Sequence, residues 1–102
     1  MIRILVADDH EIVRAGLKEF IADQPDMQVA AEASTGAETI AAARAHAFDL
    51  VLLDISMPDK NGIDTLETLQ HIKPELPVLI LSTYGEDQYA VNLLWAGAAG
   101  YV

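Results

Sequence analysis

Short apolar runs alternate along this chain with longer stretches in which apolar residues return every three or four positions. That alternation predicts strands near 2–7, 28–33, 49–54, 77–82 and 99–102, separated by helices near 11–23, 36–47, 62–72 and 86–96. In the first helix Ile12, Val13, Leu17, Phe20 and Ile21 recur at helical spacing, and Pro25 stops the chain soon after. Ser34 or Thr35 can cap the second helix, whose inward residues are predicted to be Ile40, Ala41 and Ala43. The third begins after Asn61-Gly62, buries Ile63, Leu66, Leu69 and Ile72, and ends before Pro74. Trp95 is expected to pack on the fourth. Pro77 opens Val78-Leu79-Ile80-Leu81-Ser82, a run apolar enough for a central strand buried on both faces. Strands alternating with helices in this way predict an α/β fold, a doubly wound five-stranded parallel sheet of order 2-1-3-4-5.

Length and composition narrow the picture. A chain of 102 residues is large enough for one core and too small for two, so residues 1–102 are read as one domain. With 52% hydrophobic residues and no low-complexity stretch, an ordered globular domain is expected rather than a disordered one. Sixteen acidic against 6 basic residues give a formal net charge of -10, too acidic a surface for this segment to grip nucleic-acid phosphates itself. The absence of Cys removes disulfides, thiolate chemistry and Cys-based zinc sites. Met1-Ile2-Arg3-Ile4 enters a strand directly, with no basic-then-apolar leader and no run of transmembrane length, so a cytoplasmic protein is expected.

Two of the predicted strands end on carboxylates. Asp8 and Asp9 follow Ile4-Leu5-Val6-Ala7, and Asp54 follows Leu50-Val51-Leu52-Leu53. In a sheet of order 2-1-3-4-5 the first and third strands are neighbours at the point where the winding reverses, and ligands bind outside the carboxyl ends of strands there. A lone Asp after a strand is ordinarily a solvated cap or turn residue. Three at adjoining strand ends instead make a site for a hard cation, since the cluster carries more negative charge than it can hold unneutralised. Mg²⁺ is the natural occupant.

Asp8-Asp9-His10, Asp54-Ile55-Ser56-Met57-Pro58 with Asn61-Gly62, Ser82 at the end of the fourth strand, and Ala96-Gly97-Ala98-Ala99-Gly100-Tyr101-Val102 together resemble the receiver domain of two-component response regulators, a flavodoxin-like fold. The stretch from Asp8 to Leu17 is most similar to the LuxR/NarL-type regulators, whose receiver precedes a helix-turn-helix DNA-binding domain. The resemblance implies that Asp54 is the phosphoacceptor, taking a phosphoryl group from a phosphohistidine of a sensor histidine kinase. It implies that Asp9, Asp54 and the backbone carbonyl of Ser56 bind Mg²⁺, with Asp8 binding directly or through a water. Ser82 matches the switch hydroxyl and Tyr101 the switch aromatic. Without the resemblance, Ser82 reads as a strand-end hydroxyl bonded to backbone and Tyr101 as an ordinary core or interface aromatic. Pro58 and Gly62 shape the loop after Asp54.

The family places a lysine two residues past Tyr-Val, at position 104, followed by a fifth helix. The chain stops at 102, so the resemblance implies a receiver shortened at its C-terminal end, with DNA contacted only through an absent helix-turn-helix domain and a tendency to self-associate. Two other classes compete. An Mg²⁺-dependent phosphohydrolase with an aspartyl-phosphate intermediate would carry a second Asp two residues after its nucleophile, where Ser56 stands. A pure interaction domain would not need the Asp8, Asp9, Asp54 and Ser82 set. His10 is expected to be a first-turn helix residue rather than a ligand, because Mg²⁺ prefers oxygen. His46 and His71 fall near helix ends, and Tyr84 and Tyr89 are isolated surface aromatics.

Overall fold

The computed structural model describes residues 1–54 and 62–81, together with the backbone of residues 100–101. Within these the chain runs β1 (Ile2–Ala7), α1 (Glu11–Ala22), β2 (Met27–Ala33), α2 (Gly36–Ala45), β3 (Leu50–Asp54), α3 (Gly62–Ile72), β4 (Val78–Leu81) and β5 (Gly100–Tyr101). The five strands are parallel and ordered β2-β1-β3-β4-β5, the doubly wound arrangement expected of the alternating pattern. The expected helix at 86–96, with Trp95, lies outside the described residues, as do Tyr84 and Tyr89.

The inner strands are apolar where they cross the core, Ile4–Ala7 of β1, Leu50–Leu53 of β3 and Val78–Leu81 of β4, because both faces of the sheet are covered there. Side chains alternate along a strand, and the core divides accordingly. Leu5, Ala7, Val51, Leu53, Val78 and Ile80 pack on one face with Ala43 of α2 and Leu66 and Leu69 of α3. Ile4, Val6 and Leu52 pack on the other with Ile21, joined by Leu17 and Leu79. α3 buries Leu66 and Leu69 and packs Ile63 and Ile72 against the same cluster, as its spacing predicts.

Two helices present different faces from those their sequences suggest. In α1 only Leu17 and Ile21 reach the core, while Ile12 is 87% and Phe20 68% exposed and Val13 is exposed as well. The inward stripe runs Arg14-Leu17-Ile21, an i, i+3, i+7 row that a charged residue shares, so the other apolar positions fall to either side of it. In α2 the buried residues are Gly36, Thr39 and Ala43, with Ile40 half-buried and Ala41 exposed. The buried row is made of small residues, and the Thr39 hydroxyl donates to the Thr35 carbonyl at 2.7 Å. Of the two candidate caps, Thr35 is the one used: its Oγ1 accepts from the Glu38 backbone N–H at 3.0 Å, and the Glu38 carboxylate reaches back to Ser34.

Register carries this frame to the site. Ala7 pairs with Leu53 across β1 and β3, so Asp8 and Asp54 are the next positions on neighbouring strands, at the point where the winding reverses. Asp54 pairs with Leu81 at the end of β4, and Tyr101 pairs with Ile80. Among the described residues no helix is long and apolar enough to cross a membrane.

Candidate functional site

The chain leaves β1 through a turn that Asp8 organises. Its backbone N–H donates to the Ala33 carbonyl of β2 at 3.0 Å, which continues the sheet pairing one residue beyond the strand. Its carboxylate Oδ1 accepts from the backbone N–H of His10 at 2.7 Å, an i to i+2 bond that curls the chain toward α1. His10 is the N-cap of α1, with extended backbone (φ -93, ψ 110) and no side-chain cap bond. Arg14, one turn into the helix, donates from Nη1 to the Asp8 carbonyl at 2.6 Å. Glu32 of β2 holds that guanidinium, accepting from Arg14 Nε at 3.2 Å, and also pairs with Lys18 at 3.0 Å. The bond from Lys18, followed by the lesser contribution of Arg14, holds the Glu32 carboxyl below its ordinary value.

Around this turn three carboxylates converge. Asp8 and Asp54 are buried, 4% and 3% exposed, whereas the Asp9 side chain opens partly to solvent. The His10 ring folds back over them: Nδ1 lies 2.9 Å from Asp8 Oδ1, 3.0 Å from Asp9 Oδ1 and 3.7 Å from Asp54 Oδ2. The hydrogen bond to Asp8, then the negative charge of Asp9 and Asp8, raise the His10 pKa above its ordinary value. One donor atom from each of Asp8, Asp9, His10 and Asp54 falls within 4.8 Å of all the others. Such an oxygen-rich set, walled by the sheet beneath and open beside Asp9, fits a small divalent cation that keeps part of its coordination shell for water or a phosphoryl oxygen.

Asp8, Asp9 and Asp54 are thus brought together as their strand-end positions predict. Ser56 and Ser82 lie outside the described residues, and of Tyr101 only its place in β5, beside β4, is described. His10 does not stand apart as a plain first-turn residue, since its ring joins the cluster. The cue was the Asp8 to His10 spacing, which allows the side-chain turn that swings the ring back. His46 caps the C-terminal end of α2 and His71 sits in the last turn of α3, both at helix ends as expected.

Comparison with known proteins agrees with this geometry. Residues 4–102 match the family described as response regulator receiver domain. The chain is 39% identical over 102 residues to the response regulator GacA of Pseudomonas viridiflava, covering 100% of this chain and 48% of that protein. It is 38% identical to the DNA-binding transcriptional activator DevR/DosR of Mycobacterium tuberculosis, covering 100% of this chain and 47% of the relative. Among solved structures, the response regulator domain of Thermotoga maritima CheB superposes with a TM-score of 0.93 at 34% identity, over 100% of this chain and 77% of that one. The chain spans about half the length of these curated relatives. It belongs to the response regulator receiver domain family.

Proposed function

We propose that this receiver domain accepts a phosphoryl group on Asp54 from a phosphohistidine of a sensor histidine kinase, and relays that event to a DNA-binding segment that controls transcription. The observation that carries the reading is the position of Asp54: a buried carboxylate at the end of β3, in the strand register beside Asp8 and within one cluster of acidic donors. A carboxylate oxygen of Asp54 attacks phosphorus in line, the P–N bond to the donor imidazole breaks, and the imidazole leaves with a proton. Asp9, Asp54 and the Ser56 carbonyl, with the help of Asp8, would hold Mg²⁺, which would supply positive charge against the phosphoryl oxygens. Ala7 and Leu53, which precede Asp8 and Asp54 on the paired strands, are fully buried, so the site sits on the packed end of the sheet.

Ser82 and Tyr101 are the residues proposed to report the phosphoryl group, the first by its hydroxyl and the second by its ring. Their strands support this: β4 lies beside β3 and pairs through Leu81 with Asp54, and β5 lies beside β4. The cytoplasm, where a kinase domain would supply phosphohistidine, is the proposed location.

Incubation with Mg²⁺ and a small phosphodonor, followed by mass measurement, tests the reading. A one-phosphate adduct that forms on the wild type and not on Asp54→Asn is expected. Continuous phosphate release without an adduct would make the protein a hydrolase, and no change in mass would leave an interaction domain.

A further inference from the structure

The acid pair of the site is held by a chain of charges that begins outside it. We propose that Glu32 is a positioning residue of this site: through Arg14 it fixes the peptide that joins Asp8 to Asp9, and so sets how tightly the two carboxylates hold a divalent cation. This rests on the reading above, in which Asp8, Asp9 and Asp54 hold that cation.

Strand alternation aims Glu32 at α1. Ala31 and Ala33, its neighbours in β2, pack with the core on the α2 and α3 face of the sheet, so the side chain between them projects on the other face. Arg14 and Lys18 lie four residues apart and hence on one side of α1, and the carboxylate meets both, Oε1 at 3.2 Å from Arg14 Nε and Oε2 at 3.0 Å from Lys18 Nζ. Lys18 thus takes one oxygen and leaves the other to Arg14. The nitrogens of a guanidinium share one rigid plane, so a carboxylate that holds Nε also steers Nη1, which donates to the Asp8 carbonyl at 2.6 Å. The same stretch of β2 reaches Asp8 by a second route, since the Ala33 carbonyl accepts from the Asp8 N–H at 3.0 Å. The peptides on both sides of Asp8 are therefore tied to adjacent residues of β2, one directly and one through Arg14.

The consequence of the pairing is geometric more than energetic. The Arg14 side chain is 17% exposed, but those of Glu32 and Lys18 are open to solvent, where ion pairs contribute little to stability. A cleft of about 180 Å³ lies beside the pair, and Glu38 lines it together with Arg14 and Glu32. Glu38 is engaged by the Ser34 N–H at 3.0 Å and the Ser34 hydroxyl at 3.1 Å, so Glu32 is the carboxylate that decides where the guanidinium rests. Without the charge of Glu32 the guanidinium turns into the cleft toward Glu38 and leaves the Asp8 carbonyl. The turn that carries Asp8 and Asp9 then keeps only its tie to Ala33.

Mg²⁺ titration read by amide shifts, in wild type, Glu32→Gln and Glu67→Gln, tests this. Glu67 is exposed on α3, so its variant removes the same charge without touching the network. The Mg²⁺ affinity of Glu32→Gln is expected to fall about tenfold or more below that of Glu67→Gln, the scale seen when a metal site loses a group that supports its ligands, while the melting temperature of the metal-free protein changes little. In metal-free protein the Asp8 carbonyl carbon resonance should move in Glu32→Gln and in Arg14→Ala, and adding Glu32→Gln to Arg14→Ala should move it no further. A general loosening of the fold would not give that signature. Equal Mg²⁺ affinity in Glu32→Gln and Glu67→Gln, an unmoved Asp8 carbonyl resonance, or an effect of Glu32→Gln that persists in the Arg14→Ala background overturns the proposal and leaves the cation site standing. Asp9→Asn is the control for the site itself. If that variant binds Mg²⁺ as tightly as wild type, the ion is elsewhere and the underlying reading fails with the proposal.

Discussion

The guanidinium of Arg14 donates from Nη1 to the backbone carbonyl of Asp8 at 2.6 Å, so a residue on the inner face of α1 holds the peptide that carries the acid pair. Asp8 is thereby fixed from both sides, its N–H by Ala33 of β2 and its carbonyl by α1. A charged hydrogen bond of this kind contributes about 1.5–3 kcal/mol when its acceptor would otherwise be left in a partly buried place. Arg14→Ala is expected to lower stability by that amount and to weaken divalent-ion binding, because the turn carrying Asp8 and Asp9 loosens. Arg14→Lys, which keeps charge but not the fork, recovers part of the stability. Urea unfolding and ion titration of both variants check this. Full stability in Arg14→Ala would show that the Asp8 carbonyl does not depend on the guanidinium.

Glu32 joins Arg14 and Lys18 and gives a pH signature. Its pKa in the folded protein lies below the ordinary glutamate value of 4.5, held down first by the bond from Lys18. On acidification the unfolded chain therefore takes up the proton first. The stabilisation is fully present above 4.5 and is lost as pH falls through the lower folded value. The carboxylate is 35% exposed, so solvent screening limits the whole effect to about 0.5 kcal/mol. The stability difference between wild type and Glu32→Gln should be flat from neutral pH down to the ordinary carboxyl range, then shrink below it. A difference that instead grows on acidification contradicts the pairing.

The unequal faces of the helices give a packing prediction. Leu66 is fully buried in α3, whereas Phe20 of α1 is 68% exposed. Leu66→Ala should cost about 2–5 kcal/mol, the range for emptying a packed core site. Phe20→Ala should cost within about 0.5 kcal/mol, as surface substitutions do, although Phe is the larger residue. Chemical denaturation of the two variants decides. A large loss in Phe20→Ala would mean that the ring is covered in solution.

The strands and the three aspartates could be read from the sequence because they depend on local features, and the strand order follows from the general rules for alternating strands and helices. A parallel strand buried on both faces is a continuous apolar run, and Asp8, Asp9 and Asp54 mark where two such runs end. The inner face of α1 could not be read the same way. Arg14 occupies the stripe with Leu17 and Ile21 because it has a partner in the Asp8 carbonyl and in Glu32, and nothing in the helical spacing reveals those partners. Hydrophobicity points Ala41 of α2 inward, whereas the face that is buried carries Gly36, Thr39 and Ala43, a choice set by how α2 sits on its neighbours and not by residue type. The place of His10 depends on a side-chain turn two residues long, and its adjacency to Asp54 arises only when β1 and β3 are paired.

Charge crowding in the cluster leads to the last prediction. Without a divalent ion, Asp8, Asp9 and Asp54 repel one another inside a space of 4.8 Å, partly offset by the His10 ring. Asp9 has the most exposed carboxylate of the three, so Asp9→Asn removes charge without opening a cavity, and the metal-free variant should be as stable as wild type or more so. Adding Mg²⁺ should reverse the order. An ion that binds only the folded state stabilises it by about 1.4 kcal/mol at ten times its dissociation constant, and this gain belongs to wild type alone. Thermal unfolding of both proteins with and without Mg²⁺ gives the four values needed. An equal upward shift in Asp9→Asn would place the ion away from these carboxylates. A metal-free variant less stable than wild type would mean that Asp9 does more for the turn through its hydrogen bonding than it costs by repulsion.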